Sequence, residues 1–270
     1  MNRIIHFVQN LSLDITLGSV ISSLFLARVM GVEVTCSMMI GLSIAIWLIY
    51  TFDHLRDAYK ASSDVINPRH AFHQKYFKPI VISAIVVFSL GLYNLQFLPR
   101  STIELGLVLV GLSVLYFVYL VLAKRVASKE LFAATVYVLG IATAPVSLIH
   151  SFQMVSLLVL LIFWILAYCN LLIIPLYEID QDYQDKQESV ATRLGAKNVR
   201  ALLIGLLIIC TLLIQIYGYS SDHLMSYPIL LLMVFTLFLL LLKPQYFRKF
   251  QLYRIFCDGI FFLPGILLLF

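Results

Sequence analysis

Tyr177-Glu178-Ile179-Asp180-Gln181-Asp182-Tyr183-Gln184-Asp185-Lys186-Gln187-Glu188-Ser189-Val190-Ala191-Thr192-Arg193-Leu194-Gly195 closes a long apolar segment and holds five of the chain's 14 acidic residues. On a helix of 3.6 residues per turn, Glu178, Asp182 and Asp185 share one face, because spacings of three, four and seven return to nearly the same angle. Carboxylates at that spacing repel one another, so the cluster opposes the helix unless a cation sits among its oxygens. A counterpart, Asp53-His54-Leu55-Arg56-Asp57, again has two carboxylates four apart at the end of an apolar segment. Two such clusters facing each other at a membrane surface suggest a divalent-metal site, and the rest of the chain decides what the metal would hold.

The chain is 61% hydrophobic and 12% charged, where a soluble domain carries about a quarter charged residues. The sequence therefore reads as an all-α, polytopic membrane protein, a single transmembrane domain over residues 1–270. The opening Met1-Asn2-Arg3-Ile4-Ile5-His6 is read as the start of a retained first helix, since Asp14 interrupts the apolar run and no small-residue cleavage site follows. Cys36, Cys169, Cys210 and Cys257 stand singly in apolar segments, without metal or disulfide spacing, and are expected to be packed thiols.

Apolar runs of membrane-crossing length, about 17 to 25 residues, occur near 11–30, 34–52, 79–97, 103–122, 131–148, 155–176, 201–219, 227–242 and 255–270. They predict nine transmembrane helices around a central cavity, with Pro145 kinking the fifth or being absorbed by its neighbours. Nine crossings put every one of the 19 Lys and Arg on the N-terminal side except Arg28 and Arg100. The positive-inside rule then makes the N-terminus and both acidic clusters cytoplasmic. The net charge of +5 is thereby accounted for by topology, not by nucleic acid as a partner. The long, charged loops after helices two and six place function on that face. The expected location is multi-pass in the inner membrane of the cell, among membrane lipid.

Magnesium keeps several waters and is held by one or two carboxylates together with substrate phosphates. Carboxylate clusters with Lys and Arg in the same loops suit a metal-bridged diphosphate, whose oxygens guanidinium and ammonium groups would hold. For an allylic diphosphate the consequence is a carbocation, which aromatic faces can shield; with 19 Phe and 15 Tyr, aromatic abundance alone discriminates nothing.

In the order of these elements the chain resembles the UbiA-type superfamily of intramembrane aromatic prenyltransferases. The family's first motif is roughly N-D-x-x-D-x-x-x-D; Asp53 and Asp57 match its last two aspartates, and Ile49 and Tyr50 replace the Asn and Asp. The second, D-x-D-x-D followed by T-L-x-x-R-L-G, is similar to Glu178-Ile179-Asp180-Gln181-Asp182 and Ser189-Val190-Ala191-Thr192-Arg193-Leu194-Gly195. Lys124-Arg125 and Lys129-Glu130 resemble the family's basic third loop. The resemblance implies transfer of a prenyl group from a prenyl diphosphate to a hydrophobic acceptor, with Mg2+ as cofactor. It implies Asp53, Asp57, Glu178 and Asp182 as catalytic metal ligands, Asp185 as a further one, and Arg56, Lys60, Arg69, Lys124, Lys129 and Arg193 as contacts to the diphosphate. The altered first motif also admits a descendant that binds or carries a lipid without turning it over.

Other readings are weaker. His54, His70 and His73 lie close enough in sequence for a transition-metal site if their segment is helical, though interfacial histidines more often bond to backbone or lipid phosphate. Asp14 reads as a first-turn acid at a helix N-terminus, and Asp258 as the partner of Arg254 one turn earlier. The D-G-x-x-A-R run of CDP-alcohol phosphotransferases is absent, since Asp258-Gly259 continues into Ile260-Phe261-Phe262. Acids at the rim, not the bilayer midplane, argue against an ion-coupled transporter.

Overall fold

Hydrocarbon offers no hydrogen bonds, so an apolar segment pairs its peptide groups within itself by becoming helical. A computed structural model of the chain describes residues 3–60, 68–123, 129–184, 188–220 and 225–269, and no strand occurs among them. The helices are α1 (Arg3–Asn10), α2 (Leu13–Val29), α3 (Cys36–Lys60), α4 (Pro68–Lys75), α5 (Phe77–Asn94), α6 (Arg100–Ala123) and α7 (Lys129–Leu148). They continue as α8 (Met154–Gln184), α9 (Val190–Leu194), α10 (Ala196–Ser220), α11 (Ser226–Leu242), α12 (Pro244–Arg248) and α13 (Leu252–Gly259), the last running on as a 3-10 segment over Ile260–Leu269.

Each apolar run read in the sequence coincides with one of these helices. By length and composition, six helical stretches among the described residues can cross a membrane: Cys36–Arg56, Phe77–Phe97, Lys129–Leu148, Met154–Gln184, Ala196–Ser220 and Pro244–Leu269. That is a membrane protein, with fewer qualifying stretches than the nine expected. At 17 residues each, α2 and α11 span about 26 Å, short of a hydrocarbon core of about 30 Å. In α6, several side chains toward the C-terminal end lie outside the described set.

Two boundaries move in a way that matters for function. The apolar runs end at Phe52 and Leu176, yet α3 continues to Lys60 and α8 to Gln184. At 31 residues, α8 is about 46 Å long, so its last turns, carrying Glu178, Asp180 and Asp182, stand beyond a hydrocarbon core. Pro175 and Pro145 are both absorbed within their helices.

The core is organised around α8. Of its apolar window 56% is buried, against 11% for α5 and 17% for α3, so α8 is the pillar and α3 and α5 are peripheral. Val159, Ile162, Phe163, Leu166, Leu172 and Ile173 of α8 are fully or almost fully enclosed, and the helix packs against α7 and α10. Small residues let α2 approach the C-terminal segment: a Cβ added at Gly18 would stand 3.1 Å from Phe261 Cβ, and Ser19, Ser22 and Ser23 are wholly buried. Close approach of this kind is how helices associate in lipid, where burial of apolar surface supplies no drive. Cys169, Cys210 and Cys257 are packed thiols as expected, whereas Cys36, at the start of α3, is exposed.

Hydrogen bonds between helix ends fix the polarity of the bundle. Asn94 Nδ2 donates to Ser37 O at 2.9 Å and Ser37 Oγ to Phe97 O at 3.2 Å, joining the start of α3 to the end of α5. Thr102 and Ser147 hydroxyls meet at 2.7 Å, joining the start of α6 to the end of α7. At the other end, Val190 N donates to Glu130 Oε1 at 2.9 Å, tying the start of α7 to the segment that follows α8. The acidic ends of α3 and α8 therefore lie at the same end of the bundle. All the short helices, α1, α4, α9 and α12, are at that end too; they follow no apolar run and were not legible as separate elements in the sequence.

Candidate functional site

On α3, Asp53 Oδ1 accepts from Arg56 Nη2 at 2.7 Å, one turn on. Arg56 is thus engaged with an acid of the same cluster, although the sequence assigns it to diphosphate. Asp57 and Lys60 continue the last turns of α3, and Arg69 lies in α4; their side chains are outside the described set. Beneath this cluster, His54 and His73 are buried, with ring centroids 5.0 Å apart. Ser12 Oγ lies 3.3 Å from His54 Nδ1, and Gln74 Nε2 donates to Ala58 O at 3.0 Å. These contacts seat α4 on the end of α3, so His54 and His73 are packing residues between helices, not side chains of an interfacial loop. Asp14 is a first-turn acid of α2, accepting from the Ile15 N–H at 2.9 Å.

On α8, Glu178 Oε1 accepts from Arg254 Nε and from Tyr253 OH, each at 2.8 Å. The pair is largely enclosed, with side-chain exposures of 13% for Glu178 and 22% for Arg254. Tyr253 stacks on Tyr177 with centroids 4.5 Å apart and planes 11° from parallel, and Tyr177 OH donates to Leu240 O. The start of α13 is thereby clamped to the acidic end of α8. Arg254 serves Glu178, 76 residues earlier, where local spacing pointed to Asp258. Asp182, one turn beyond Glu178, is half-buried.

The segment after α8 has its own local logic. Ser189 Oγ accepts from Thr192 N at 3.3 Å while Thr192 Oγ1 accepts from Ser189 N at 2.9 Å, a reciprocal cap that starts α9. Gly195 stops α9 at φ 79°, ψ 150°, in a region open essentially to glycine alone. Tyr183 OH donates to Thr192 O at 3.1 Å, folding α9 back on α8. The Ser189–Gly195 run thus carries a cap, a turn and a stop, and it presents Arg193, exposed, in the last turn of α9. Through the Glu130 to Val190 bond, exposed Lys129 at the start of α7 joins the same neighbourhood. Glu130 is the residue sequence reasoning missed: one oxygen anchors α9, while Oε2 is buried without a hydrogen-bond partner. Its sequence signal was its place beside Lys129 in the first turn of a helix. Replacing Gly195 by Ala is expected to cost about 1–3 kcal/mol in thermal unfolding; no atom lies within 4 Å of the added Cβ, so the cost is backbone conformation alone.

Lys124 and Asp185 lie outside the described residues. Among the described residues, no group of three or more His, Cys, Asp or Glu is arranged to hold a metal ion. Comparison with protein-family models, with curated proteins and with solved structures finds no match.

Proposed function

We propose that the protein is an integral-membrane prenyltransferase of UbiA type, moving a prenyl group from an allylic diphosphate to a lipid-soluble, aromatic acceptor. One observation carries the reading: the acidic ends of α3 and α8, far apart in sequence, lie at one end of the bundle, with Lys129 and Arg193 beside the second of them. In this reading the chain crosses the inner membrane nine times, the N-terminus and this end are cytoplasmic, and the prenyl chain lies among the helices.

The donor set suits magnesium bridged by substrate phosphates, not a metal held by protein alone. Such a cation needs only one or two carboxylates from the protein once phosphate oxygens and water complete its shell. Asp53, Asp57, Glu178, Asp182 and Asp185 would hold it, and it would supply neutralisation of the departing diphosphate. Arg56 and Arg254 hold Asp53 and Glu178 in fixed orientations. Lys129 and Arg193, with Lys60, Arg69 and Lys124, bind the remaining diphosphate oxygens. The bond from prenyl carbon to diphosphate oxygen breaks with its electron pair leaving on diphosphate; the acceptor carbon bonds to the cation and loses a proton.

A second reading is a lipid-binding descendant without turnover. It is favoured by Asp53 and Glu178 each being paired to an arginine and by Ile49 and Tyr50 in the first motif. Lipid extracts of cells with and without the protein, compared by mass spectrometry, separate the two. A prenylated lipid missing from the deleted strain is the expected result; identical extracts, with donor bound but unconsumed by the purified protein, would favour the second reading.

A further inference from the structure

On the flank of α8 turned away from Glu178 lies a groove of about 430 Å³, between α8, α10, α11 and α12. Leu176, which lines it, sits about 160° around the helix from Glu178, so the groove opens on the other side of α8 from that carboxylate, with Tyr177 of the clamp forming part of the wall between them. Its floor is apolar, formed by Leu176, Ile179, Leu240, Leu241 and Pro244, and its cations are Lys197, Arg200 and Arg248. One acid is near: Arg248 Nη1 is 3.9 Å from Asp180 Oδ2 in a largely exposed pair, which is worth little in water. Arg200 Nη2 donates to Leu241 O, which ties its guanidinium to the rim of the groove.

Charge and position together select the occupant. The groove lies where α8 leaves the apolar zone, at the level of lipid headgroups. Along α10 from Arg200, Ile204 and Ile208 are exposed, an apolar track for acyl chains. A free phosphate would gain nothing from the apolar floor or the track, whereas a phosphodiester with two chains uses both. We propose that this groove binds the headgroup of an anionic phospholipid, its phosphate among Lys197, Arg200 and Arg248. The site does not depend on any prenyl chemistry at the α3 and α8 ends.

Native mass spectrometry of the full-length protein, titrated with phosphatidylglycerol or phosphatidylcholine, tests this. Phosphatidylglycerol should be retained in preference to phosphatidylcholine. The double variant K197Q/R248Q, which keeps the Arg200 to Leu241 contact, should weaken that retention by roughly thirtyfold. Asp180→Asn, by releasing Arg248, should strengthen it, and Arg100→Gln, at the opposite end of the bundle, should leave it unchanged. Equal retention of the two lipids, equal retention by wild type and K197Q/R248Q, or full displacement by millimolar inorganic phosphate would overturn the proposal, the last by making this a free-anion site.

Discussion

If the proposed function holds, asparagine in place of Asp53 or Asp182 is expected to cut Mg2+-dependent release of diphosphate from an allylic donor by about a hundredfold or more, because each would remove a charged ligand from a cation that must offset the leaving group's charge. Stability should hardly change for Asp53→Asn. Its pair with Arg56 is about one-third exposed, at 28% and 35%, and pairs of that kind contribute about 0–1 kcal/mol. Loss of turnover with an unchanged melting temperature therefore marks a ligand, whereas turnover retained within about twofold would remove the aspartates from the chemistry. Diphosphate release and thermal unfolding, measured on the same detergent-solubilised samples, give both readouts.

The second large effect concerns the clamp between α8 and α13. Replacing Arg254 by Met strips an enclosed carboxylate of its cation, and breaking a buried pair by removing one partner costs about 3–5 kcal/mol. Glu178 keeps its bond from Tyr253, so the lower end, about 3 kcal/mol, is the expectation. Adding Glu178→Gln removes the stranded charge, and the double variant should regain most of the lost stability while remaining impaired in turnover. A single variant as stable as wild type would mean that the pair does not hold α13 in place. A double variant no more stable than the single would mean that lost packing, not the stranded charge, causes the effect.

That clamp also shows where sequence reasoning stops. Apolar runs located the membrane-crossing helices because a helix in lipid is dictated by its own residues, and the spacing of Glu178 and Asp182 on a helical face survives intact in α8. Helix ends were harder: apolarity ends at Phe52 and Leu176, but backbone pairing carries α3 and α8 two turns further into water, where charged residues are equally at home. Partners were harder still. Local spacing offered Asp258 to Arg254, yet the guanidinium reaches Glu178 across 76 positions, a choice made by how α13 packs on α8. The same holds for Glu130, whose bond to Val190 spans 60 positions, and for the two buried histidines between α3 and α4, which sequence placed in a loop. The capping run Ser189–Gly195 was visible as a motif, but its physical content, a reciprocal cap and a glycine-only stop, needed the backbone angles. The cationic groove had no signature, since Lys197 and Arg200 stand on α10 and Arg248 on α12, and they meet only through folding.

The most direct test of a shared site is electron paramagnetic resonance of Mn2+, substituted for Mg2+, with an unreactive diphosphate analogue and the protein in nanodiscs. Convergence of the α3 and α8 acids on one metal-diphosphate predicts that Asp53→Asn alone and Asp182→Asn alone each abolish the protein-bound, analogue-dependent Mn2+ signal. A signal that survives either substitution, or that never depends on the analogue, would contradict the account.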